Sequence, residues 1–197
     1  MAKNNRSGQA ALLSESDISK IRRELVNKEH RLFWDVARYT GERWGAICQL
    51  QVFDVYSDPY KSKPHLDITF RAATRKAAPD GSRQTRQVPV HPSLKEILEA
   101  YKSPLDTIWL FPSKSRPGQH ISFQAADDFF RKALEKAGLN HKGLSTHSTR
   151  RTFITNLYRK GVDLVTLQKI TGHRDIKVLR QYIEVSPERV RAAISQL

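Results

Sequence analysis

Apolar side chains recur at helical spacing over most of this chain. Ile18, Ile21 and Leu25 lie three or four residues apart, and a serine at position 14 or 16 can cap the helix that they predict. The same spacing continues through residues 32–37, and Gly41 ends the pattern. Further helices are predicted over residues 44–52, 93–101, 123–137, 148–160, 163–172, 177–183 and 187–196.

The middle of the chain shows the alternation of a β-strand. Leu66, Ile68 and Phe70 alternate with polar residues, as the side chains of a half-buried strand do. A Pro-Asp-Gly turn at 79–81 and a short segment at 87–90 predict the returning strand, and residues 108–111 predict a short buried run. The fold class predicted is mainly α with a small antiparallel β-hairpin, an α+β fold. The hairpin's long, basic tip is predicted to carry Arg75, Lys76, Arg83 and Arg86.

The charge balance indicates a polyanionic partner. The chain carries 34 Lys and Arg against 20 Asp and Glu, a formal net charge of +14. This excess is typical of nucleic-acid-binding proteins, although a merely basic, ribosome-associated protein would share it. The single cysteine, Cys48, excludes an intrachain disulfide framework and a multi-cysteine zinc site. Residues 1–9 are polar and basic, so neither a signal peptide nor a membrane span is predicted there.

Phosphodiester cleavage is a reaction that a cationic chain suits. Without a metal it needs a nucleophile, cations for the non-bridging oxygens, and an acid for the leaving oxygen. No metal site is predicted, because no two histidines lie four residues apart and the adjacent Asp127 and Asp128 project differently from a helix. No cofactor is predicted either. Cationic side chains are therefore expected to supply the positive charge.

Two short motifs bring candidate catalytic side chains together. His147 and Arg150 share one face of a predicted helix, although about 0.7 such pairs are expected by chance and a solvated basic face would look the same. A Gly-His pair ending at His173, with Tyr182 nine residues later, is expected only about 0.01 times by chance. By itself, Tyr182 would be assigned to the core, because it keeps helical spacing with apolar neighbours.

The order of the motifs resembles that of the tyrosine recombinase, or phage integrase, family. Arg43 ends a Thr-Gly-Glu-Arg sequence after the second helix, and alone it would be a surface or ion-paired arginine. Thr-His-Ser-Thr-Arg-Arg-Thr-Phe at 146–153, Thr-Gly-His at 171–173 and then Tyr182 follow in the family's order. The resemblance implies the catalytic-domain fold of that family over residues 12–197. Residues 1–11 are expected to be a flexible basic tail.

The resemblance implies a role for each matching side chain. Arg43 and Arg150 would clamp the scissile phosphate, which suits guanidinium because its fork meets two phosphate oxygens at once. Tyr182 would be the nucleophile. His147 would accept the tyrosine proton or hydrogen-bond the phosphate, and His173 would add a further donor.

A hairpin lysine serves as the general acid in the family. Lys76 is the only lysine between positions 63 and 95 and lies in the predicted hairpin tip. It is therefore the candidate, with Arg75 as its substitute and a solvated loop lysine as the simpler interpretation. The residues expected to bind DNA are Arg75, Arg83, Arg86, Arg151 and Arg174.

A reaction and an assembly are also implied by the resemblance. Attack would leave a 3′-phosphotyrosine link and a free 5′-hydroxyl, so strands could be exchanged without metal or ATP. The partner would be double-stranded DNA of a mobile element, in the prokaryotic cytoplasm or nucleoid. The working assembly would be a homotetramer on two DNA sites, and a monomer in free solution stays open.

Three features depart from the family pattern. Ala46 lies where an acidic residue commonly orients the first arginine, and Glu42 could replace it only if it does not point away on a helix. Arg151 follows the second arginine, where a histidine is common. The sequence begins close to the expected catalytic domain, so no N-terminal helical clamp domain is expected in these 197 residues, as in short members that invert fimbrial promoter segments or as in an excised fragment.

Two other functions stay open beside strand exchange. The first is a catalytically weak or inactive DNA-binding regulator of the same fold, which Ala46 favours. The second is a type IB-like topoisomerase, which would relax supercoils without a defined pair of sites. The last predicted helix, with Val190, Ala193 and Ile194 on one face, packs either onto a neighbouring protomer or onto its own domain.

Overall fold

The computed structural model describes residues 9–77, 80–173, 175–182, 190–191 and 194–195. The chain divides into a larger unit, Met1–Phe153, and a smaller unit, Ile154–Leu197. The helices are α1 (Glu15–Glu24), α2 (Lys28–Thr40), α3 (Trp44–Ile47), α4 (Pro92–Ala100), α5 (Phe123–Lys136), α6 (Thr146–Arg159) and α7 (Leu164–Thr171). The strands are β1 (Tyr56–Asp58), β2 (Lys63–Pro64), β3 (Asp67–Phe70) and β4 (Arg86–Pro89). The described part of the chain has no helix both long and apolar enough to cross a membrane.

Local sequence signals explain where the first two helices begin and end. Ser14 caps α1 in a reciprocal pair with Asp17, and Asn27 accepts two backbone N–H groups at the start of α2. Gly41 ends α2 in the left-handed conformation, with φ of 59°. A Cβ atom at that position would lie 2.3 Å from the Phe153 ring, so close packing as well as the backbone requires glycine there.

An aromatic cluster holds α2, α3 and α5 together in the larger unit. Phe33 meets Trp44 edge-on with ring centroids 4.9 Å apart, and Trp44 lies 5.1 Å from Phe130. All three side chains are almost fully buried. Aromatic side chains bury roughly 150–250 Å² each, so they dominate the packing energy of a core this size. The start of α3, where the first candidate arginine lies, is thereby fixed against the core.

The predicted hairpin is present, but its second strand begins and ends one residue earlier than expected. Ile68 pairs with Val88 and Phe70 pairs with Arg86 in the antiparallel β3–β4 ladder. Arg86 therefore lies within β4 and not in the hairpin tip, and its side chain is buried. The placement of this arginine in the tip was wrong, because β4 begins one residue earlier than predicted.

Other expectations were met only in part. The helix expected over residues 44–52 stops at Ile47, and a short 3₁₀ helix follows at Val52–Asp54. The short β1–β2 hairpin was not predicted. In the run 108–111, Leu110 and Phe111 are buried, whereas Ile108 is 58% exposed. The end of the expected tail is attached to the larger unit, since the Ala11 N–H donates to the Gly143 carbonyl.

The smaller unit contains the end of α6, helix α7 and a 3₁₀ helix at Ile176–Tyr182. Asp163 caps α7 and Gly172 ends it in the left-handed conformation, as the sequence predicted. The 3₁₀ helix packs against α7, and its Leu179 is fully buried. The last predicted helix lies mostly outside the described residues, although Val190 and Ile194 are described and exposed.

Candidate active site

A cationic pocket of about 270 Å³ lies in the larger unit, between the start of α3, the β3–β4 hairpin and the start of α6. Glu42 is the acidic residue among those that line it. Four cationic side chains line the pocket with this single carboxylate, so the pocket has an excess of positive charge and attracts anions. The cations are Arg43, Arg75, Lys76 and Arg150. His147 lies in the same lining, so four of the predicted catalytic residues and the predicted DNA-binding Arg75 share one pocket.

Arg43 reaches the pocket because α3 begins directly after it. The residue has extended backbone geometry as the N-cap of α3, and its side chain is half-buried. The next residue, Trp44, donates from its indole N–H to the Thr149 hydroxyl of α6 at 3.1 Å. This bond connects the start of α3 to the helix that carries His147 and Arg150.

Arg150 is the most deeply buried of the arginines that line the pocket, with 4% of its surface exposed. Its Nη1 donates to the Gly41 carbonyl at 2.9 Å and lies 3.7 Å from Glu42 Oε1. Burial of a guanidinium is tolerated only where such oxygens meet it. The same contacts hold the planar group in one orientation, which a bidentate interaction with an oxyanion requires.

His147 lies one helical turn before Arg150 and stays exposed. Partial desolvation lowers the pKa of its imidazole, and the neighbouring Arg43, Arg150 and Lys76 lower it further. The imidazole is therefore mainly neutral at pH 7. A neutral imidazole has one nitrogen lone pair that can accept a proton.

Lys76 is exposed and follows Arg75, just after the short 3₁₀ helix at Ala72–Thr74. Arg75 itself is only 8% exposed. Its Nη1 donates to the Gln84 carbonyl at 2.8 Å, and its Nε lies 3.3 Å from Glu42 Oε2. These contacts leave Lys76 as the accessible cation of this segment.

Glu42 is the central residue of the pocket, and the sequence offered it only as a possible replacement for the acidic residue missing at Ala46. Its side chain is 1% exposed, between the end of α2 and the start of α3. Burial by itself would raise the pKa of the carboxyl, but Arg86, Arg150, the Arg43 backbone N–H and Arg75 together hold the pKa below its usual value. Residue 42 is not helical, so the objection that it would point away on a helix does not apply. The helix break at Gly41 was the sequence feature that indicated a non-helical residue 42.

The other predicted DNA-binding arginines differ in their surroundings. Arg86 is 5% exposed and donates to Glu42 and to the Thr40 carbonyl, so it has no surface to offer to DNA. Arg83 is exposed and donates to the Ala73 carbonyl. Arg151 is half-buried and donates to the Ala10 carbonyl. Arg174 lies outside the described residues.

The smaller unit carries the two remaining candidates. The His173 and Tyr182 rings are half-buried, with centroids 6.2 Å apart. His173 Nδ1 lies 2.6 Å from the Thr171 hydroxyl. The hydroxyl donates its own proton to the Leu167 carbonyl. A hydroxyl has one proton, so Nδ1 must supply the proton for its bond to Thr171. When neutral, His173 would then offer a lone pair at Nε2, and it would donate there only as imidazolium.

Comparison with known proteins places this arrangement in a family. The family model described as "Phage integrase family" matches residues 11–189. The chain belongs to the phage integrase family. Every candidate catalytic residue named above lies within the matched residues.

Curated relatives in the phage integrase family include tyrosine recombinases. Tyrosine recombinase XerD of Brucella suis biovar 1 (strain 1330) is 30% identical over 118 residues, which cover 56% of this chain and 38% of that protein. Tyrosine recombinase XerD of Rhizobium meliloti (strain 1021) is 31% identical over 110 residues, covering 53% of this chain and 35% of that protein. The chain therefore spans less than half the length of these relatives.

Solved structures of integrases and recombinases share the fold. XerA recombinase gives a TM-score of 0.71 at 24% identity, covering 96% of this chain and 66% of that one. The catalytic domain of bacteriophage HP1 integrase gives 0.65 at 24% identity and covers 95% of both chains. XerH site-specific recombinase bound to its difH substrate gives a TM-score of 0.69 at 20% identity, covering 94% of this chain and 53% of that one. The tyrosine recombinase catalytic-domain fold predicted from the motifs is thereby confirmed.

Proposed function

We propose that this chain is the catalytic part of a site-specific DNA recombinase that cleaves and rejoins DNA through a 3′-phosphotyrosine at Tyr182. One observation carries the proposal. Arg43, Lys76, His147 and Arg150 line a single pocket whose one carboxylate is already engaged with arginines. A pocket of this composition attracts a phosphodiester and has the proton donor and acceptor that its cleavage needs.

Charge neutralisation is the first task of the pocket. Arg43 and Arg150 would contact the non-bridging oxygens, where negative charge increases as the phosphorus becomes five-coordinate. Arg150 is suited to this because the Gly41 carbonyl and Glu42 already orient it, so little reorganisation is required on binding. Removing one such preorganised donor typically costs about 10²–10³-fold in rate.

Proton transfer is the second task. The Tyr182 oxygen would attack phosphorus while neutral His147 takes the phenolic proton, and the bond from phosphorus to the 5′-oxygen would break. Lys76 would protonate that leaving oxygen and give a free 5′-hydroxyl. In the reverse reaction a 5′-hydroxyl attacks the phosphotyrosine and releases Tyr182. The ester bond is exchanged and never hydrolysed, so neither ATP nor a metal ion enters the balance.

The proposed partner is double-stranded DNA, and the proposed working assembly is a homotetramer on two DNA sites. Arg83 is exposed and donates to the Ala73 carbonyl next to the pocket-lining segment 74–76, and it would contact the phosphate backbone. The DNA would be that of a mobile element in the prokaryotic cytoplasm or nucleoid. Binding through phosphates should weaken steeply as the salt concentration rises.

A DNA-binding regulator without cleavage is the second candidate, and the uncharged Ala46 in the pocket lining favours it. The test uses supercoiled plasmid with the gene's own flanking DNA, incubated in EDTA with wild type or Tyr182→Phe and stopped with SDS. If the plasmid DNA is labelled, label that is bound covalently to the wild-type protein and not to the variant supports the recombinase proposal. A band shift with both proteins and an adduct with neither would favour the regulator.

A further inference from the structure

We propose that Glu42 is a positioning residue that fixes the segment bearing Lys76 relative to the helix bearing Arg150. This inference rests on the proposed function, since it concerns how a proton donor and a phosphate clamp come to act on the same phosphodiester.

The two oxygens of Glu42 serve different elements. Oε2 accepts from Arg86 Nη1 of β4 at 2.8 Å and lies 3.3 Å from Arg75 Nε. Oε1 accepts the backbone N–H of Arg43 at 2.8 Å and lies 3.7 Å from Arg150 Nη1. One carboxylate therefore meets the β3–β4 hairpin on one side, and the starts of α3 and α6 on the other.

The carboxylate also offsets repulsion among buried cations. Arg75, Arg86 and Arg150 are each less than a tenth exposed, and Glu42 is the acidic group within 4 Å of all three. Without its negative charge, desolvated guanidinium groups repel one another strongly, because the local dielectric constant is low. Arg75 is the one that can move towards solvent, since it lies in a loop. Lys76 is the next residue and would move with it.

Backbone carbonyls make this role separable from folding. The Thr40 carbonyl accepts from Arg86 Nη2, and the Gly41 carbonyl accepts from Arg150 Nη1, each at 2.9 Å. Glu42→Gln keeps these bonds and nearly the same side-chain volume, and it removes the negative charge together with one of the two acceptor oxygens. The expected consequence is a misplaced Lys76 in a chain that still folds.

A change of leaving group isolates the contribution of Lys76. A 5′-bridging sulfur leaves as a thiolate and needs no proton, whereas a 5′-bridging oxygen needs the general acid. With oxygen, Glu42→Gln should slow single-turnover formation of the Tyr182 adduct by roughly 10²-fold, the lower end of a general acid's contribution. With sulfur, we expect a slowing of less than about 10-fold, and Lys76→Ala should show the same preference.

Two further variants separate positioning from general destabilisation. Asp35→Asn removes a fully buried carboxylate that pairs with Arg22 away from the pocket, and it should slow both DNAs equally, if at all. Arg75→Met removes the Glu42 contact next to Lys76 and the bond to the Gln84 carbonyl, and it leaves Glu42 paired with Arg86 and Arg150. It should reproduce the sulfur preference even if Glu42→Gln fails to fold. Wild-type rates for Glu42→Gln, or equal slowing on both DNAs by Glu42→Gln and Arg75→Met, would overturn the inference. Absence of any wild-type adduct on either DNA would instead overturn the proposed function on which it rests.

Discussion

Gly41→Ala is the substitution for which the structure gives the sharpest energetic expectation. Gly41 has φ of 59°, and an added Cβ would lie 2.3 Å from Cδ1 and 2.7 Å from Cγ of Phe153. The left-handed backbone costs alanine roughly 1 kcal/mol relative to glycine. Overpacking against a ring adds roughly 1–3 kcal/mol. We therefore expect the free energy of unfolding to fall by about 2–4 kcal/mol.

Gly138→Ala is the matched control for the backbone contribution. Gly138 has φ of 69°, and nothing lies within 4 Å of an added Cβ. Its substitution should cost only the backbone strain of roughly 1 kcal/mol. Urea unfolding of both variants, with equal slopes against denaturant, measures the difference between them.

A double-mutant cycle with Phe153→Ala then tests the cause. Removing the ring takes away the atoms at 2.3 and 2.7 Å and leaves the Cβ of residue 153 at 3.0 Å from the added Cβ, so in that background the cost of Gly41→Ala should fall most of the way towards that of Gly138→Ala. Equal costs for the two glycine substitutions in the wild-type background would refute the reasoning. Loss of DNA cleavage in Gly41→Ala is also expected, because the carbonyl of residue 41 orients Arg150.

Three further predictions concern charge. The lowered pKa of His147 should place the acidic limb of the cleavage rate below pH 6.5, and His147→Asn should abolish that limb. The folded-state pKa of Glu42 lies below its ordinary value of 4.5, so the stabilising effect of its charge is present above pH 4.5 and is lost as the pH falls through the lowered pKa. The stability difference between wild type and Glu42→Gln in urea should therefore be largest near pH 7 and close towards pH 3. Arg83→Ala should reduce the slope of log K against log salt by about 1, whereas buried Arg86→Met should leave that slope unchanged.

Each of these has a result that would contradict it. An acidic limb at or above pH 6.5 would show that His147 is not the neutral acceptor. A stability difference for Glu42→Gln that is the same at pH 7 and pH 3 would show that its charge contributes nothing to folding. Equal changes in salt slope for the Arg83 and Arg86 variants would mean that burial does not decide which hairpin arginine meets phosphate.

Apolar periodicity was sufficient for the helices, and it failed where elements are short. Helices α2 and α5 span 13 and 14 residues, enough for several turns of the pattern, and both were predicted. Strands β1 and β2 have three and two residues, too few for alternation to be seen. In β4 the alternation was present, but the strand predicted from it began one residue too late. Extending it by one residue places Arg86 on the buried face with Val88.

Candidate site residues were found where the chemistry is local in sequence. His147 and Arg150 lie one turn apart on α6, and Arg43 follows a glycine break. Each short motif alone was weak, and the order of the motifs along the chain, which resembles that of the family, selected these residues. What orients them is not local: the Arg86 contact to Glu42 spans 44 residues, and the Arg150 contact to the Gly41 carbonyl spans 109. A helical or strand pattern extends over one element of the chain and does not contain both partners, so periodicity could not pair them.

A physical rule still narrows the choice of partner. An arginine on the buried face of a strand or helix needs an oxygen nearby, because an uncompensated guanidinium in the interior is too costly. Once Arg86 is placed on the same face as Val88, it requires such a partner, and Arg150 requires one because its side chain is buried. Glu42 lies inside the motif that already brings Arg43 to the pocket, so a single residue can serve both. The demand for a buried counter-charge, and not the motif itself, is what singles out Glu42.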